Sequence, residues 1–422
     1  MRIGLYSPFF GSAIGGGEKY LGVAAEALRD AYPQHQVEIV SPLPVDRKRY
    51  ERMLGLDFSG IKFNTGSFQV NKLSRWIRRF PLIRRYADLY VGYRSVTWTR
   101  DYDLLLSMVY VMPAASQARR GVILCQFPYE LGADQSSRWG WAAPLYRLYT
   151  LPYEFLKRRL LGREEDSFQQ VICQSEYVRG WTREYWKRNS LVVNPPIDVP
   201  TLEPDFAAKE QIILSVGRFF PSGHSKRQEI MLRIFRELCN AGLTGWEFHL
   251  AGSLNRSHPA DVRYFEEVCQ LAEGYPVHIH VDASLEMIQN LYAKSSIYWH
   301  AAGYGVNASK NPIDLEHFGM TTAEAMGYGT VPVAIGRGGQ IEVVTDGVDG
   351  YLWNTLEELT SKTTELINDP LLRERMGRTA RQTSFRFSRL HFKQQMSAAV
   401  HPLVMELERE QGKQVGQVKV SR

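Results

Sequence analysis

The stretch between Asn311 and Gly350 constrains the fold of this chain more than any other, because it alternates chain breaks with short regular segments. Two glutamates, Glu316 and Glu324, are separated by seven residues, and a helical run continues beyond the second. Glycines then interrupt the chain ahead of a short apolar run, and a Gly-Gly pair follows that run. The pattern predicts a loop, a helix, a turn, a strand, a second loop and a further helix.

The start of the predicted helix offers a binding site for an anion. The first amides of a helix have no hydrogen-bond partner inside it, and the helix dipole adds about half a positive charge there. Glu316 precedes the helix and Glu324 lies inside it, so the two carboxylates are expected to meet different parts of one ligand, such as a phosphate end and a sugar diol. Gly319 would let that ligand approach the backbone closely. The backbone donors would come from Phe318, Gly319, Met320 and Thr321.

The same order of elements recurs in both halves of the chain, which at 422 residues is too long for one ordinary core. In the first half, a strand leads through a glycine-rich loop that ends in Gly16 and Gly17 into a helix, an arrangement that can cradle a phosphate. In the second half, an apolar strand ends at Gly217 and Arg218, and strands and helices alternate after it. This alternation predicts an α/β protein with Rossmann-like sheets.

The segment E-H-F-G-M-x-x-A-E-A-M, with the later G-G-x-x-E, resembles the E-x7-E signature of the retaining glycosyltransferases of family 4, the glycosyl transferases group 1. The resemblance implies the GT-B architecture, in which two Rossmann-like domains face a cleft and a C-terminal helix crosses back onto the first domain. It implies an acceptor-side domain over 1–203, joined by the helical residues 388–422, and a nucleotide-sugar-binding domain over 204–387.

The resemblance also implies roles for individual residues of the second domain. Arg218 and Lys226 would hold the diphosphate of the donor, although the insert after Arg218 leaves open whether Lys226 or Arg227 reaches it. Glu324 would bind the ribose, and Glu316 would sit near the transferred sugar. Glu316, Arg218 and Lys226 then form the expected catalytic set.

The first domain is expected to contribute backbone and amide groups. By the same resemblance, the amides of Gly16 and Gly17 would lie beside the donor diphosphate. Gln126 follows a strand end where some relatives have a histidine that reaches the donor sugar, so it is the acceptor-side candidate and can only hydrogen-bond. The only histidine in residues 1–200 is His35, far from the strand ends, so we expect no histidine base in this domain.

The expected reaction is the transfer of a hexose of mannose or glucose type from a GDP- or UDP-sugar to a hydroxyl of a glycan or lipid-linked acceptor, with retention at the anomeric carbon. No covalent nucleophile is well placed, which favours a same-face reaction assisted by the departing phosphate. A GT-B epimerase of sugar nucleotides and a non-catalytic membrane-surface protein remain as alternatives. A nicotinamide-dependent oxidoreductase is disfavoured, because G-x-G-x-x-G follows neither domain's first strand.

Neither a cofactor nor a metal is expected. The four cysteines lie far apart without ligand spacing. The D-Y-D sequence at 101–103 directly precedes an apolar strand and is interpreted as a turn. His278, His280 and His300 fall in predicted strands, where structural roles are expected. Nucleic acid is not an expected partner, because the basic cluster lacks a helix-turn-helix, RRM or zinc-finger context.

The net charge of +6 is concentrated in residues 1–200. Residues 72–94 interleave seven basic side chains with apolar and aromatic ones, a pattern that suits either an ordinary solvated face or a surface for anionic lipid headgroups. The chain begins directly in a strand and has no apolar run long enough to span a bilayer. We therefore expect a cytoplasmic protein, with 72–94 as a candidate contact to the inner face of a membrane.

Overall fold

The computed structural model describes residues 1–11, 14–65, 97–109, 116–128 and 167–420, with isolated positions between 144 and 159 and backbone alone from 414. The basic stretch 72–94 lies outside the described residues. The chain divides into two compact units, the first formed by Met1–Gln174, Val178–Val193 and Phe392–Arg422, the second by Ser175–Tyr177 and Asn194–His391. Among the described residues, no helix has the length and apolar character needed to cross a bilayer.

The first unit is built on a parallel sheet. Its strands are β1 (Arg2–Tyr6), β2 (Gln36–Ser41), β3 (Lys62–Thr65), β4 (Leu104–Val109), β5 (Arg120–Cys125), β6 (Gln170–Cys173) and β7 (Leu191–Val192). Its helices, in the described part of the chain, are α1 (Gly16–Ala31), α2 (Arg47–Leu54), α3 (Glu176–Trp186) and α11 (Arg389–Val420). The first two residues of α3 and the first three of α11 belong to the second unit. The strand order over these described elements is β3-β2-β1-β4-β5-β6-β7.

Helix α11 completes the core of the first unit. Its side chains Phe392, Met396 and Val400 are buried in one cluster with Leu21 and Leu28 of α1. Burying an apolar side chain of this size stabilises a fold by about 1.5–3 kcal/mol. The C-terminal helix is therefore an integral part of the first unit's core.

Ion pairs fix the same helix to the sheet. The carboxylate of Glu410 accepts from Arg119 at 2.6 Å and from Arg120 at 2.5 Å. Nε2 of His35 lies 2.8 Å from Oε1 of Glu408. The histidine that the sequence places far from the strand ends thus has a structural partner on α11.

The second unit repeats the design. Its strands are β8 (Glu210–Val216), β9 (Glu247–Gly252), β10 (Val277–Val281), β11 (Ser295–His300), β12 (Val331–Ile335) and β13 (Tyr351–Trp353), in the order β10-β9-β8-β11-β12-β13. Its helices are α4 (Gln228–Asn240), α5 (Pro259–Ala272), α6 (Leu285–Lys294), α7 (Met320–Gly327), α8 (Gln340–Val343), α9 (Leu356–Asn368) and α10 (Pro370–Ser384). All pairings in this sheet are parallel.

Both sheets are doubly wound, because the chain builds outward from a central strand in one direction and then returns to build in the other. The reversal falls between β1 and β4 in the first sheet and between β8 and β11 in the second. In open sheets of this kind, ligands bind at the carboxyl ends of the strands beside the reversal. The topology confirms the predicted α/β class with two Rossmann-like sheets.

The segment between β7 and β8 packs within the second unit. The guanidinium of Arg381 donates to the carbonyl oxygens of Gly327, Pro200 and Leu202, and Ile197 forms a bridge with Ser388. Residues 194–203 accordingly cluster with the second unit. The boundary between residues 203 and 204 stays a prediction.

Candidate functional site

A carboxylate, an ammonium and an imidazole meet at the carboxyl end of the second sheet. Glu316 lies ahead of α7, Lys226 lies ahead of α4, and His300 is the last residue of β11. The Lys226 ammonium donates to Oε2 of Glu316, and Nε2 of His300 lies 3.2 Å from the same oxygen. Only 15% of the Glu316 side chain and 19% of the Lys226 side chain are exposed. The cluster therefore occupies the reversal between β8 and β11, where a ligand is expected.

Burial and pairing set the charge states of this cluster. Burial alone would raise the pKa of Glu316, but the Lys226 ammonium and the His300 hydrogen bond hold that pKa well below its ordinary value. Burial lowers the pKa of His300, so its imidazole is neutral at physiological pH and its Nε2 carries the proton donated to the carboxylate. Nδ1 of His300 is buried and has no hydrogen-bond partner among the described residues. Glu316 is thus an anion held between a cation and a neutral donor.

The side chain that reaches Glu316 is Lys226 and not Arg227. Arg227 has a positive φ of 56°, which is rare for a residue with a side chain, and its guanidinium lies 3.6 Å from Glu229. The Lys226 stem instead packs over Gly217, where an added Cβ would lie 2.4 Å from Cγ of Lys226. The glycine at the end of β8 therefore makes room for the lysine.

Two further histidines hold the segment between Glu316 and α7. The rings of His224 and His317 meet edge to face with their centroids 4.1 Å apart, and Nε2 of His317 donates to the carbonyl oxygen of Ile313 at 3.0 Å. Burial lowers the pKa of both rings, so neither adds positive charge to the site. The carbonyl oxygen of His317 accepts from the Ser175 hydroxyl at 2.5 Å. These contacts fix the backbone that leads into α7.

The first turn of α7 is anchored to the neighbouring strands through Tyr298. The Tyr298 hydroxyl lies 2.7 Å from Oγ1 of Thr321 and 3.3 Å from the carbonyl oxygen of Val216. The helix begins at Met320, two residues beyond the start near Phe318 that the sequence indicates, because Gly319 adopts a φ of 113° that favours glycine. Within the described part of the chain no side chain caps this helix, so the amides of its first turn can serve an anion.

The Gly-Gly pair packs directly on the backbone around Glu316. A Cβ on Gly338 would lie 2.3 Å from the carbonyl oxygen of Glu316, and one on Gly339 would lie 2.4 Å from that of His317. The N–H of Gly339 donates to the Glu316 carbonyl oxygen at 2.7 Å. The pair is therefore required by close backbone packing, and it sets the position of Glu316.

Glu342, the last residue of G-G-x-x-E, has a structural contact. Its carboxylate accepts from the backbone N–H groups of Glu176 and Tyr177 at 2.7 and 2.6 Å. Burial raises the pKa of Glu342, against the lowering effect of these two hydrogen bonds. The motif thus combines two glycines that allow close backbone packing with a carboxylate that binds the backbone N–H groups of Glu176 and Tyr177.

Arg218 and Glu324 lie on either side of this cluster in the chain. Arg218 follows β8, is exposed, and has its guanidinium 5.0 Å from the centroid of the Phe220 ring. Glu324 lies in the second turn of α7, with Oε2 3.4 Å from the hydroxyl of the buried Tyr292. Both elements, β8 and α7, are joined through the Tyr298 hydroxyl described above. Arg218, which follows β8, and Glu324, which lies in α7, are therefore carried by neighbouring elements of the second unit.

The candidates of the first unit are described within that unit. Gly16 and Gly17 are the first two residues of α1, which Gly15 precedes without a side-chain cap in the described residues. Gln126 is buried after β5, and its carbonyl oxygen accepts from Nε2 of Gln174 at 2.7 Å. Its own Nε2 has no hydrogen-bond partner among the described residues. Gln126 thus carries an unused donor, which suits a hydrogen-bonding role.

Sequence reasoning missed two members of the site, His300 and Gln340. His300 was interpreted as structural because it lies in a strand, yet as the last strand residue it reaches Glu316. Gln340 is fully buried beside Gly319, and neither amide atom has a partner among the described residues. An added Cβ on Gly319 would lie 2.3 Å from Nε2 of Gln340. The available signals were the position at a strand end and a polar residue directly after a Gly-Gly pair.

Comparison with known proteins places this site in a family. Residues 203–383 match the model of glycosyl transferases group 1. An alpha-1,3/1,6-mannosyltransferase of Dictyostelium discoideum is 37% identical over 308 residues, which cover 66% of this chain and 69% of that protein. The chain belongs to the group 1 glycosyltransferases. A second D. discoideum relative of this glycosyltransferase is a GDP-Man:Man(3)GlcNAc(2)-PP-Dol alpha-1,2-mannosyltransferase, 22% identical over 96% of this chain and 85% of the relative.

Solved structures agree with the fold of this glycosyltransferase. The sucrose-phosphate synthase of Thermosynechococcus elongatus superposes with a TM-score of 0.66 at 16% identity, covering 96% of this chain and 99% of the other. Anabaena HepE in complex with UDP and glucose gives a TM-score of 0.60 at 16% identity, covering 95% and 99%. The GT-B architecture is thereby confirmed, and the protein is a hexosyltransferase.

Proposed function

We propose that this glycosyltransferase moves a hexose of mannose type from a nucleotide sugar to a hydroxyl of a lipid-linked glycan, with retention at the anomeric carbon. The names of its two D. discoideum relatives support the sugar, and one of those names contains both GDP-Man and a PP-Dol acceptor. GDP- and UDP-hexoses are the two donor classes to distinguish, because HepE was solved with UDP-glucose.

The buried pair of Glu316 and Lys226, in the segments that precede α7 and α4, supports this reaction. A nucleoside diphosphate is a leaving group whose charge grows as the sugar departs. Lys226, Arg218 and the amides of 318–321 would hold that charge. An ammonium has three donors, so Lys226 can keep its contact with Glu316 while it binds a phosphate oxygen. The site is pre-organised for the departing group.

In the proposed reaction the acceptor oxygen attacks the anomeric carbon on the face from which the diphosphate leaves. The bond between that carbon and the phosphate oxygen breaks as the new glycosidic bond forms, and the acceptor proton passes to the departing phosphate oxygen. Glu316 would lie near the transferred sugar, and Glu324 would accept hydrogen bonds from the ribose hydroxyls. Gly16 and Gly17 would add backbone donors to the diphosphate, and Gln126 would hydrogen-bond on the acceptor side.

Ligand binding tests the donor first. A ligand that binds the native state alone raises the melting temperature by mass action, by about 2.7 kcal/mol of stabilisation at a hundredfold excess over its dissociation constant. GDP is expected to give the largest shift among GDP, UDP and ADP. Failure of all three to bind would refute the proposal, and a larger shift with UDP would reassign the donor.

A product assay tests the reaction. With GDP-mannose and a lipid-linked glycan, we expect GDP release and a mannosylated product of unchanged anomeric configuration, read from the one-bond carbon–hydrogen coupling at C1. Turnover of the donor into an isomer without acceptor would instead support the epimerase alternative. An inverted product would refute retention.

We also propose that the stretch 72–94 brings the enzyme to an anionic membrane, because each basic residue near such a surface contributes about 1 kcal/mol. Charge reversal at Arg78, Arg79, Arg84 and Arg85 is expected to abolish co-sedimentation with liposomes that contain phosphatidylserine. Unchanged co-sedimentation of this variant would exclude the stretch as the contact.

A further inference from the structure

Three histidines and a glutamate gather on one face of the second sheet, on the paired strands β9 and β10. The strands run parallel, with His278 opposite His249. Alternate residues of a strand face the same side, so Glu247 joins His249, and His280 joins His278. These positions lie at one edge of the sheet, since β10 is its edge strand.

Three potential ligand atoms converge at this place. Nε2 of His249 lies 3.0 Å from Oε2 of Glu247, and Nε2 of His278 lies 3.3 Å from the same oxygen. The three atoms all lie within 4.8 Å of one another. Zinc holds imidazole nitrogen and carboxylate oxygen at about 2.0–2.2 Å, which in a tetrahedral site separates two ligand atoms by about 3.3–3.5 Å. Small side-chain shifts would therefore accommodate an ion.

A fourth residue orients the most buried ligand. Nδ1 of His249 lies 3.1 Å from Nε2 of His280. If Nε2 of His249 binds a metal, its proton must reside on Nδ1, and His280 is in place to accept it. Metal-binding histidines usually donate their second ring N–H to such a partner, which fixes the tautomer and the ring orientation.

The outer side of the cluster is open to solvent. The Glu247 side chain is 48% exposed and that of His278 50%, so an ion can enter from solvent.

We propose that Glu247, His249 and His278 form a binding site for a divalent transition-metal ion of the zinc class, with His280 orienting His249. The set of two imidazoles, one carboxylate and an open fourth position accessible to water is typical of zinc. The ion would clamp the edge strand β10 to β9. This site is formed by strands other than β8 and β11, which carry the Glu316 cluster, and does not depend on the proposed sugar transfer.

The test uses the full chain, without an affinity tag and stripped of metal by chelation. Titration with Co²⁺ is expected to give the visible absorption of a four-coordinate ion, saturating at one ion per chain and displaced by Zn²⁺. The double variant His249→Gln, His278→Gln is expected to lose more than about 100-fold in affinity. Replacing the orienting residue, His280→Gln, is expected to cost about 10–100-fold.

A matched control comes from another histidine–carboxylate pair of the same unit. His258 lies 2.8 Å from Asp261 in α5, and His258→Gln is expected to leave Co²⁺ binding unchanged. Glu247→Gln keeps the shape of a half-exposed side chain, so loss of binding in this variant with an unchanged unfolding curve excludes misfolding. Absence of saturable binding in the wild type, or equal affinity in the double variant, would overturn the proposal.

Discussion

The N-termini of α1 and α7 each follow a strand that flanks the reversal of its sheet, yet they are built differently. Each helix starts after a glycine that provides no side-chain cap in the described residues. At α1, Gly16 and Gly17 bring no side chain to the first two positions, and Gly16 is exposed, whereas the next residues, Glu18 and Lys19, are buried. At α7, buried side chains surround the start, with Glu316 paired to Lys226 and Gln340 packed on Gly319.

The same topology thus places two kinds of helix N-terminus at the carboxyl ends of its strands. Bare backbone amides offer donors with little dependence on neighbouring side chains. A site of buried charges is pre-organised, and each member depends on the others. We therefore expect substitutions around α7 to have large and coupled effects, and substitutions at α1 to have small and separable ones.

The largest effect is expected from Glu316→Gln, which keeps the shape and removes the charge that faces Lys226. We expect kcat/KM to fall by roughly 10²–10³-fold, the magnitude measured when one pre-organised electrostatic contact is removed. Steady-state kinetics with saturating acceptor measure this loss. The control Glu286→Gln removes an exposed carboxylate at the start of α6 and should retain wild-type rates. Wild-type kinetics in Glu316→Gln would show that the charge of Glu316 takes no part in the reaction.

Gly339→Ala tests whether α7 depends on close backbone packing. The new Cβ would lie 2.4 Å from the carbonyl oxygen of His317, so the backbone that carries Glu316 must shift. Overpacking of this kind costs about 1–3 kcal/mol, and we expect unfolding free energy and kcat to fall together. Urea unfolding and kinetics measure the two. Gly274→Ala in an open turn is not a matched control, because its φ of 80° is itself unfavourable.

Gly180→Ala is a suitable control for that substitution, since an added Cβ there meets nothing within 4 Å and the residue lies in α3. It should keep the wild-type rate and gain up to about 1 kcal/mol in stability, because alanine is the better helix former. Equal losses in both variants would contradict the packing explanation.

The pH dependence of stability tests the charge of Glu316. Its pKa in the folded state is held well below the ordinary value, against the effect of burial, by Lys226 and His300. The pair's contribution is therefore fully present above the unfolded pKa of about 4.3 and is lost as the pH falls toward the folded value. The stability gap between wild type and Glu316→Gln should amount to about 3–5 kcal/mol at neutral pH and shrink below about pH 4.3. Urea unfolding at a series of pH values measures it, and a constant gap would contradict the ion pair.

Glu324→Gln is expected to act on donor binding alone. Loss of one charge-assisted hydrogen bond costs about 1.5–3 kcal/mol, so the donor KM should rise by at least roughly tenfold with a smaller change in kcat. Initial rates at varied donor concentration separate the two parameters. An unchanged KM with a reduced kcat would place Glu324 at the reaction and not at the ribose.

The smallest effect is expected from Gly16→Ala, at the first residue of α1. Gly16 is exposed at the start of a helix, so alanine should preserve the unfolding free energy or raise it by up to about 1 kcal/mol. If its amide serves the diphosphate, the added methyl group should still raise the donor KM by a few fold. Thermal unfolding and kinetics together distinguish this from a purely structural glycine, for which KM would not move.

The sequence predicted those features that depend on local patterns. Apolar runs separated by helical segments predicted both doubly wound sheets, and the residues from Glu316 to Gly339 indicated the family. Whether Lys226 or Arg227 reaches the diphosphate was left open, because the insert after Arg218 changes the spacing. In the structure Lys226 contacts Glu316, whereas Arg227 has a positive φ and pairs with Glu229. The contact of His300 with Glu316 follows from its position as the last residue of β11, which the local pattern does not show.

The histidine group on β9 and β10 depends even more on the fold than on the local sequence. His249 and His278 are far apart in the chain, and only the parallel register brings them opposite each other. Ligand-spacing rules detect residues that are close in sequence or on one helix. A site assembled by strand pairing leaves no such spacing, which is why the sequence indicated no metal.

Helix α11 has a consequence for the order in which the protein matures during synthesis. The second unit is nearly continuous, and its residues up to His391 emerge from the ribosome before Phe392, Met396 and Val400 do. The first unit needs those three side chains to close its interior, so the part of the molecule translated first is the last to mature. Until then the nascent first unit exposes apolar surface, as do the folding intermediates that chaperones bind.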